Sequence, residues 1–144
     1  MELKDVMSIQ VEAISEDAPL TEAARRMAQE DIGFLPVIGS DRISGVVTDR
    51  DIVIRCIAEG ADPTMAAVKS AMTRDVAILP DAADVTEAAE LMEQRQIRRI
   101  LVQDEQGRYV GVVSLGDLAR ATEHELSGEV LQKVSEPAAP AARR

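Results

Sequence analysis

One cysteine, one histidine, one phenylalanine, one tyrosine and no tryptophan stand among 144 residues. The single thiol, Cys56, excludes an intramolecular disulfide, a CxxC redox pair and a cysteine zinc cluster. The single imidazole, His124, excludes a histidine-rich metal site and argues against a Ser-His-Asp triad. The opening Met1-Glu2-Leu3-Lys4-Asp5 has no signal-peptide apolar core, and no run reaches the roughly 18 apolar residues of a membrane span. A cytoplasmic protein with no membrane partner is expected. Basic side chains are outnumbered, 16 against 26 acidic ones, for a net charge of −10. That field disfavours nucleic acid as a partner, and any bound phosphate needs a local arrangement that overcomes it.

What is present reads as globular, with 46% hydrophobic and 29% charged residues. The length suits one ordinary domain or two small units sharing a core. Internal duplication decides between them. With a shift of 65 residues, Met7 to Ile38 falls on Met72 to Gln103 with eleven identities: Met7/Met72, Val11/Val76, Ala18/Ala83, Thr21/Thr86, Glu22/Glu87, Ala23/Ala88, Ala24/Ala89, Met27/Met92, Gln29/Gln94, Ile32/Ile97 and Val37/Val102. One residue further on, Gly45-Val46-Val47-Thr48-Asp49-Arg50-Asp51-Ile52 matches Gly111-Val112-Val113-Ser114-Leu115-Gly116-Asp117-Leu118. The chain is two copies of one unit.

Each copy carries an amphipathic helix, because Leu20, Ala23, Ala24 and Met27, like Val85, Ala88, Ala89 and Met92, recur at i, i+3, i+4, i+7. Asp84 with Glu87 resembles a capping box, and Pro19 suits a first helical turn. Apolar runs Phe34 to Ile38 and Ile100 to Val102 predict strands, followed by turns and second strands over Ile43 to Val47 and Tyr109 to Val113. Val11 and Val76 mark an additional short strand. Further helices are expected from about Arg50 to Ala58 and from about Asp117. The fold class is therefore α/β (α+β): two β-α-β-β-α repeats packed sheet to sheet with pseudo-twofold symmetry, since one copy alone is too small for a good core. The expected division is 1–60 for the first repeat and 61–70 for a linker with a short helix from Thr64 to Ser70. The second repeat then spans 71–126, and 127–144 holds a helix end and a disordered tail. Met27 and Met92 are expected in the core, Met7 and Met72 in packing roles, Cys56 as a buried small hydrophobe and His124 on the surface.

The duplicated Gly-Val-Val-Thr48-x-x-Asp51 and Gly-Val-Val-Ser114-x-x-Asp117 lie where a buried strand enters a helix. A helix start favours anionic oxygens, a hydroxyl there can donate to phosphate, and a carboxylate one turn on can accept a ribose diol. The same pattern is also close to a capping box, in which hydroxyl and carboxylate serve only their own helix amides. Asp49 and Asp51 alone are weak grounds for a magnesium site.

Two copies that open with Met7-Ser8 and Met72-Thr73 and close with Gly-x-x-Thr/Ser-x-x-Asp resemble a tandem pair of CBS domains, the Bateman module. The match runs over about residues 5 to 120. The stretch Asp31-Ile32-Gly33-Phe34-Leu35-Pro36-Val37 is especially similar to stand-alone bacterial CBS pairs. The resemblance implies a non-catalytic regulatory module that binds adenosine-containing ligands: AMP, ADP, ATP (with magnesium) or S-adenosylmethionine. It needs no resident cofactor or metal. It also implies a homodimer and a regulated protein elsewhere. By position, Asp51 and Asp117 would hold ribose; Thr48, Ser114, Arg50, Arg98 and Arg99 would hold phosphate. Val11, Ala13, Pro36 and Val46, with Val76, Ile78, Leu101 and Val112, would clamp adenine. Arg98-Arg99 stands where the first copy has Gly33-Phe34, so the Thr48/Asp51 site is expected to be the better phosphate site. The alternative reading is an interaction or assembly module whose ligand sites have become helix caps.

Overall fold

The computed structural model describes residues 1–123, and the expectations for His124 and the tail lie outside them. The first repeat runs β1 (Ile14–Ser15), α1 (Leu20–Glu30), β2 (Phe34–Gly39), β3 (Arg42–Thr48) and α2 (Asp49–Ile52). The second runs β3's successors β4 (Ile78–Pro80), α3 (Val85–Arg95), β5 (Arg99–Gln103), β6 (Tyr109–Ser114) and helix α4 at 115–123. Each repeat builds a three-stranded sheet, in the orders β1-β2-β3 and β4-β5-β6. Its first pair is parallel and its second antiparallel.

Helix α1 buries Leu20, Ala23 and Met27, and α3 buries Ala88 and Met92. Both end on a left-handed residue at equivalent positions, Asp31 (φ 53°) and Gln96 (φ 54°). Several local expectations need correction. The short strands form at Ile14 and Ile78, which pair with Val37 and Leu101, and not at Val11 and Val76. Pro19 is the extended N-cap of α1, outside its first turn. Asp84 caps α3 by accepting from the Thr86 N–H at 2.9 Å, with no reciprocal bond from Glu87. The helix expected from Arg50 to Ala58 widens after Ile52 into a π-turn over Val53–Ile57, where the Ala58 N–H donates to the Val53 carbonyl at 2.8 Å. The Thr64–Ser70 segment is a turn on Asp62 followed by a 3₁₀ turn at Val68–Ser70.

The two hydrophobic cores are completed reciprocally. Val68, Ala71 and Met72, at the start of the second repeat, pack with Ile14, Leu35, Val47 and Cys56 of the first. Leu3, the equivalent of Val68, packs with Ala88, Ile100 and Val113 of the second. The segment between the repeats is thus core material as well as linker, and each half depends on an arm of the other. A third cluster joins the sheets across the pseudo-twofold: Phe34, Leu101 and Val112, with Val11, Ile32, Ile43, Val46, Val76, Ile78 and Tyr109. The Tyr109 hydroxyl donates to the Val11 carbonyl within it, and burial pushes its pKa up to about 12.

Candidate functional site

The arms also set the geometry of both motifs. Val46 and Thr73 exchange two backbone hydrogen bonds, 2.9 and 2.7 Å, and Val112 and Ser8 exchange the equivalent pair, 3.0 and 2.8 Å. The motif glycines permit this approach. A Cβ at Gly45 would meet the Thr73 carbonyl oxygen at 2.2 Å, and one at Gly111 would meet the Ser8 carbonyl oxygen at 2.8 Å. Neither glycine has a positive φ, so close backbone approach is what requires them.

At the end of β3, the Asp51 N–H donates to Thr48 Oγ1 at 3.0 Å, and the Thr48 N–H donates to Asp51 Oδ2 at 3.0 Å. At the end of β6, Asp117 and Ser114 make the same pair at 3.0 and 2.9 Å. Both hydroxyl–carboxylate pairs are therefore closed capping boxes. Their remaining partners differ. Asp51, only 8% exposed, also accepts from the Thr73 hydroxyl at 3.2 and 3.3 Å. Asp117 instead forms an ion pair with Arg120 on its own helix.

Beside Thr48 lies a cavity of about 800 Å³ built from both repeats. Its polar wall carries the Thr48 and Thr73 hydroxyls, Arg95, Arg98, Arg99 and Asp75; its apolar wall is Phe34, Val46, Val76, Ala77, Ile97 and Leu101. Phe34 and Arg99 occupy equivalent positions, the first residues of β2 and β5, and meet across the pseudo-twofold. The Arg99 guanidinium lies 4.3 Å from the Phe34 ring centroid, a cation–π contact at the cavity wall. Arg95 leans toward Asp75 at 4.0 Å.

The structure thus brings Thr48, Arg98, Arg99, Val46, Val76 and Leu101 to one cavity. Asp51 stands behind Thr48 and Thr73, outside the lining. Val11, Ile78 and Val112 belong to the inter-repeat cluster but do not line this cavity. Pro36 is fully buried opposite Val46 in the sheet, and the Ala13 carbonyl accepts from Arg26. Arg50 is exposed and off the cavity. Sequence reasoning missed Thr73, Asp75 and Arg95 as site residues. For Thr73 a signal existed: Ser8 and Thr73 place a hydroxyl after the opening methionine of each copy. Arg95 has no equivalent in the first copy, where Glu30 stands.

Comparison with known proteins agrees with this architecture. The CBS-domain family model matches residues 3–57 and 68–124. Hypoxic response protein 1 of Mycobacterium tuberculosis is 42% identical over 119 residues, covering 81% of this chain and 82% of its own. The CBS domain-containing protein YhcV of Bacillus subtilis is 37% identical over 134 residues, covering 92% of this chain and 94% of its own. Among solved structures, Hypoxic Response Protein I with two coordinated zinc ions superposes with a TM-score of 0.74 at 38% identity, over 83% of this chain and 98% of that one. CBSX2 in complex with AMP shares the fold with a TM-score of 0.73 at 21% identity, over 87% and 98%. Zinc has no matching ligand set among the described residues of this chain. No three of His, Cys, Asp and Glu gather there to hold a metal, and the Cys56 thiol is buried against the Ala61 carbonyl. Duplicated β-α-β-β-α units, exchanged arms and a shared cleft, together with these matches, assign the chain to the CBS-domain family as a tandem pair.

Proposed function

We propose that this CBS pair is a non-catalytic regulatory module that binds an adenosine-containing ligand in the cavity beside Thr48. The observation that carries the reading is the cavity's two-sided chemistry. Hydroxyls and three arginines stand at one wall and aliphatic side chains from both repeats at the other. An anionic phosphate fits the first wall, and the flat face of a base fits the second. Thr48 and the arginine pair serve the phosphate; Val46, Val76 and Leu101 flank the base. Asp51 takes the ribose by exchanging its bond to Thr73 for the sugar hydroxyls. Ser114 and Asp117 form the corresponding second site, where Arg120 competes for the carboxylate. The bound ligand acts on a separate regulated protein in the cytoplasm, through a change of shape or of dimer. Val53, Ile54 and Ile57 on the turn after α2, and Leu115 on α4, are exposed apolar groups suited to cover one another in a homodimer.

A second reading has its own support. Both hydroxyl–carboxylate pairs are already closed as helix caps, as an assembly module without ligands would have them. Titration of AMP, ADP, ATP and S-adenosylmethionine by calorimetry separates the two. A sensor is stabilised by about 2.7 kcal/mol at a ligand concentration of 100 Kd, and an assembly module is not. Asp51→Ala is expected to weaken the strongest ligand at least about tenfold, the loss of one charge-assisted bond. An unchanged response removes Asp51 from the ribose.

A further inference from the structure

We infer that the cavity beside Thr48 selects adenosine polyphosphates over the monophosphate and rejects S-adenosylmethionine, with Arg95 as the residue that reads the additional phosphate. The inference rests on the adenosine reading above and deepens it. The chain carries ten more acidic than basic charges, yet three guanidinium groups, Arg95, Arg98 and Arg99, line one cavity together with the carboxylate of Asp75, while that of Asp51 stands behind Thr73. Guanidinium forks match phosphate oxygens, and their charge repels a cationic ligand. S-adenosylmethionine brings a sulfonium and an ammonium against one carboxylate, so its net charge has the wrong sign for this wall.

The three arginines are not equivalent. Arg98 immediately precedes β5, and Arg99 begins it and is held against Phe34. Together they suit the first phosphate, attached to the ribose. Arg95 sits in the last turn of α3, three residues before Arg98 in the chain, and its side chain is half exposed. Its carboxylate neighbour Asp75 is 99% exposed and stands at 4.0 Å, the outer edge of an ion pair. Solvent screens such a pair heavily, so a polyphosphate oxygen displaces it readily. A terminal phosphate accepts two parallel N–H bonds from the released guanidinium, which a monophosphate is too short to offer. Asp75 is thus a placeholder that returns to Arg95 when only AMP is bound.

Calorimetry on the full chain tests this with AMP, ATP, S-adenosylmethionine and inorganic tripolyphosphate, on wild type, Arg95→Gln and Asp75→Asn. Both substituted residues are exposed, so the fold is retained. Wild type is expected to bind ATP at least about tenfold more tightly than AMP, and S-adenosylmethionine more weakly than either. Arg95→Gln is expected to erase the ATP advantage, lowering ATP affinity at least about tenfold more than AMP affinity. Asp75→Asn is expected to raise ATP affinity several-fold and not that of AMP. Equal affinities for AMP and ATP in wild type, or equal losses of both in Arg95→Gln, overturn the inference and leave the adenosine site standing. Tripolyphosphate binding that adenosine compounds do not improve supports the arginine reading and overturns the adenosine one. No binding by any of the four overturns both.

Discussion

Replacing Gly45 with alanine acts on the contact through which the second repeat's arm meets the first repeat's sheet. The new Cβ would stand 2.2 Å from the Thr73 carbonyl oxygen and 3.1 Å from its carbon. The obstacle is backbone, so no rotamer change relieves it, and β3 must part from the arm. Parting removes the two hydrogen bonds between Val46 and Thr73, each worth about 1 kcal/mol net, and loosens the Thr73 hydroxyl on Asp51, for a total loss of about 2–4 kcal/mol. The stiffer unfolded chain offsets about 0.4–1 kcal/mol of that. A net loss of about 2–3 kcal/mol lowers Tm by roughly 7–10 °C in a chain of this size. Gly60→Ala is the control: it has φ +76° with nothing within 4 Å, so only left-handed backbone strain of about 1 kcal/mol is expected. Urea unfolding and scanning calorimetry of both variants check the order. If Gly45→Ala unfolds with wild type, or costs less than Gly60→Ala, the steric argument is wrong. Retained stability with lost nucleotide affinity would mean that the glycine serves a ligand and not the arm.

Tyr109 is the chain's one tyrosine, so its ultraviolet absorbance reports its ionisation alone. Its folded pKa lies above the unfolded value of 10.0, so stability is unaffected below pH 10 and falls as pH rises from there through about 12; Tyr109→Phe should flatten that alkaline limb, read from urea midpoints, while losing about 1 kcal/mol at neutral pH with the Val11 bond. Cys56, 1% exposed, should resist a thiol reagent in native buffer and react fully in urea, and fast native labelling would contradict its place in the first core. Ile57→Glu should shift the proposed homodimer toward monomer in sedimentation equilibrium while changing the unfolding free energy of the subunit by no more than about 0.5 kcal/mol, because the residue is half exposed; an unchanged mass would place the dimer contact elsewhere.

The legible part of this protein was what repeats along the chain. Leu20, Ala23 and Met27 bury one face of α1, and Ala88 and Met92 the equivalent face of α3, whereas Ala24 and Ala89, which the same spacing placed with them, are exposed. Helix starts at Thr48 and Ser114 close their caps within four residues, a local matter. Val11 and Val76 misled because an apolar residue in extended chain reads as a strand, whereas these two are claimed by the inter-repeat cluster. Leu3 and Val68 carried no sign of which core would take them.

Periodicity, capping and duplication are properties of neighbours in sequence, so the amino-acid order by itself determined the elements, their number and their pairing into two like units. Which arm fills which core, and which Arg faces which hydroxyl, depends on contacts between residues tens of positions apart. Thr73 against Asp51, Arg99 over Phe34 and Arg95 beside Thr48's cavity exist only once the sheets have met. Tertiary packing decided those, because it alone sets the distances over which charge and shape act.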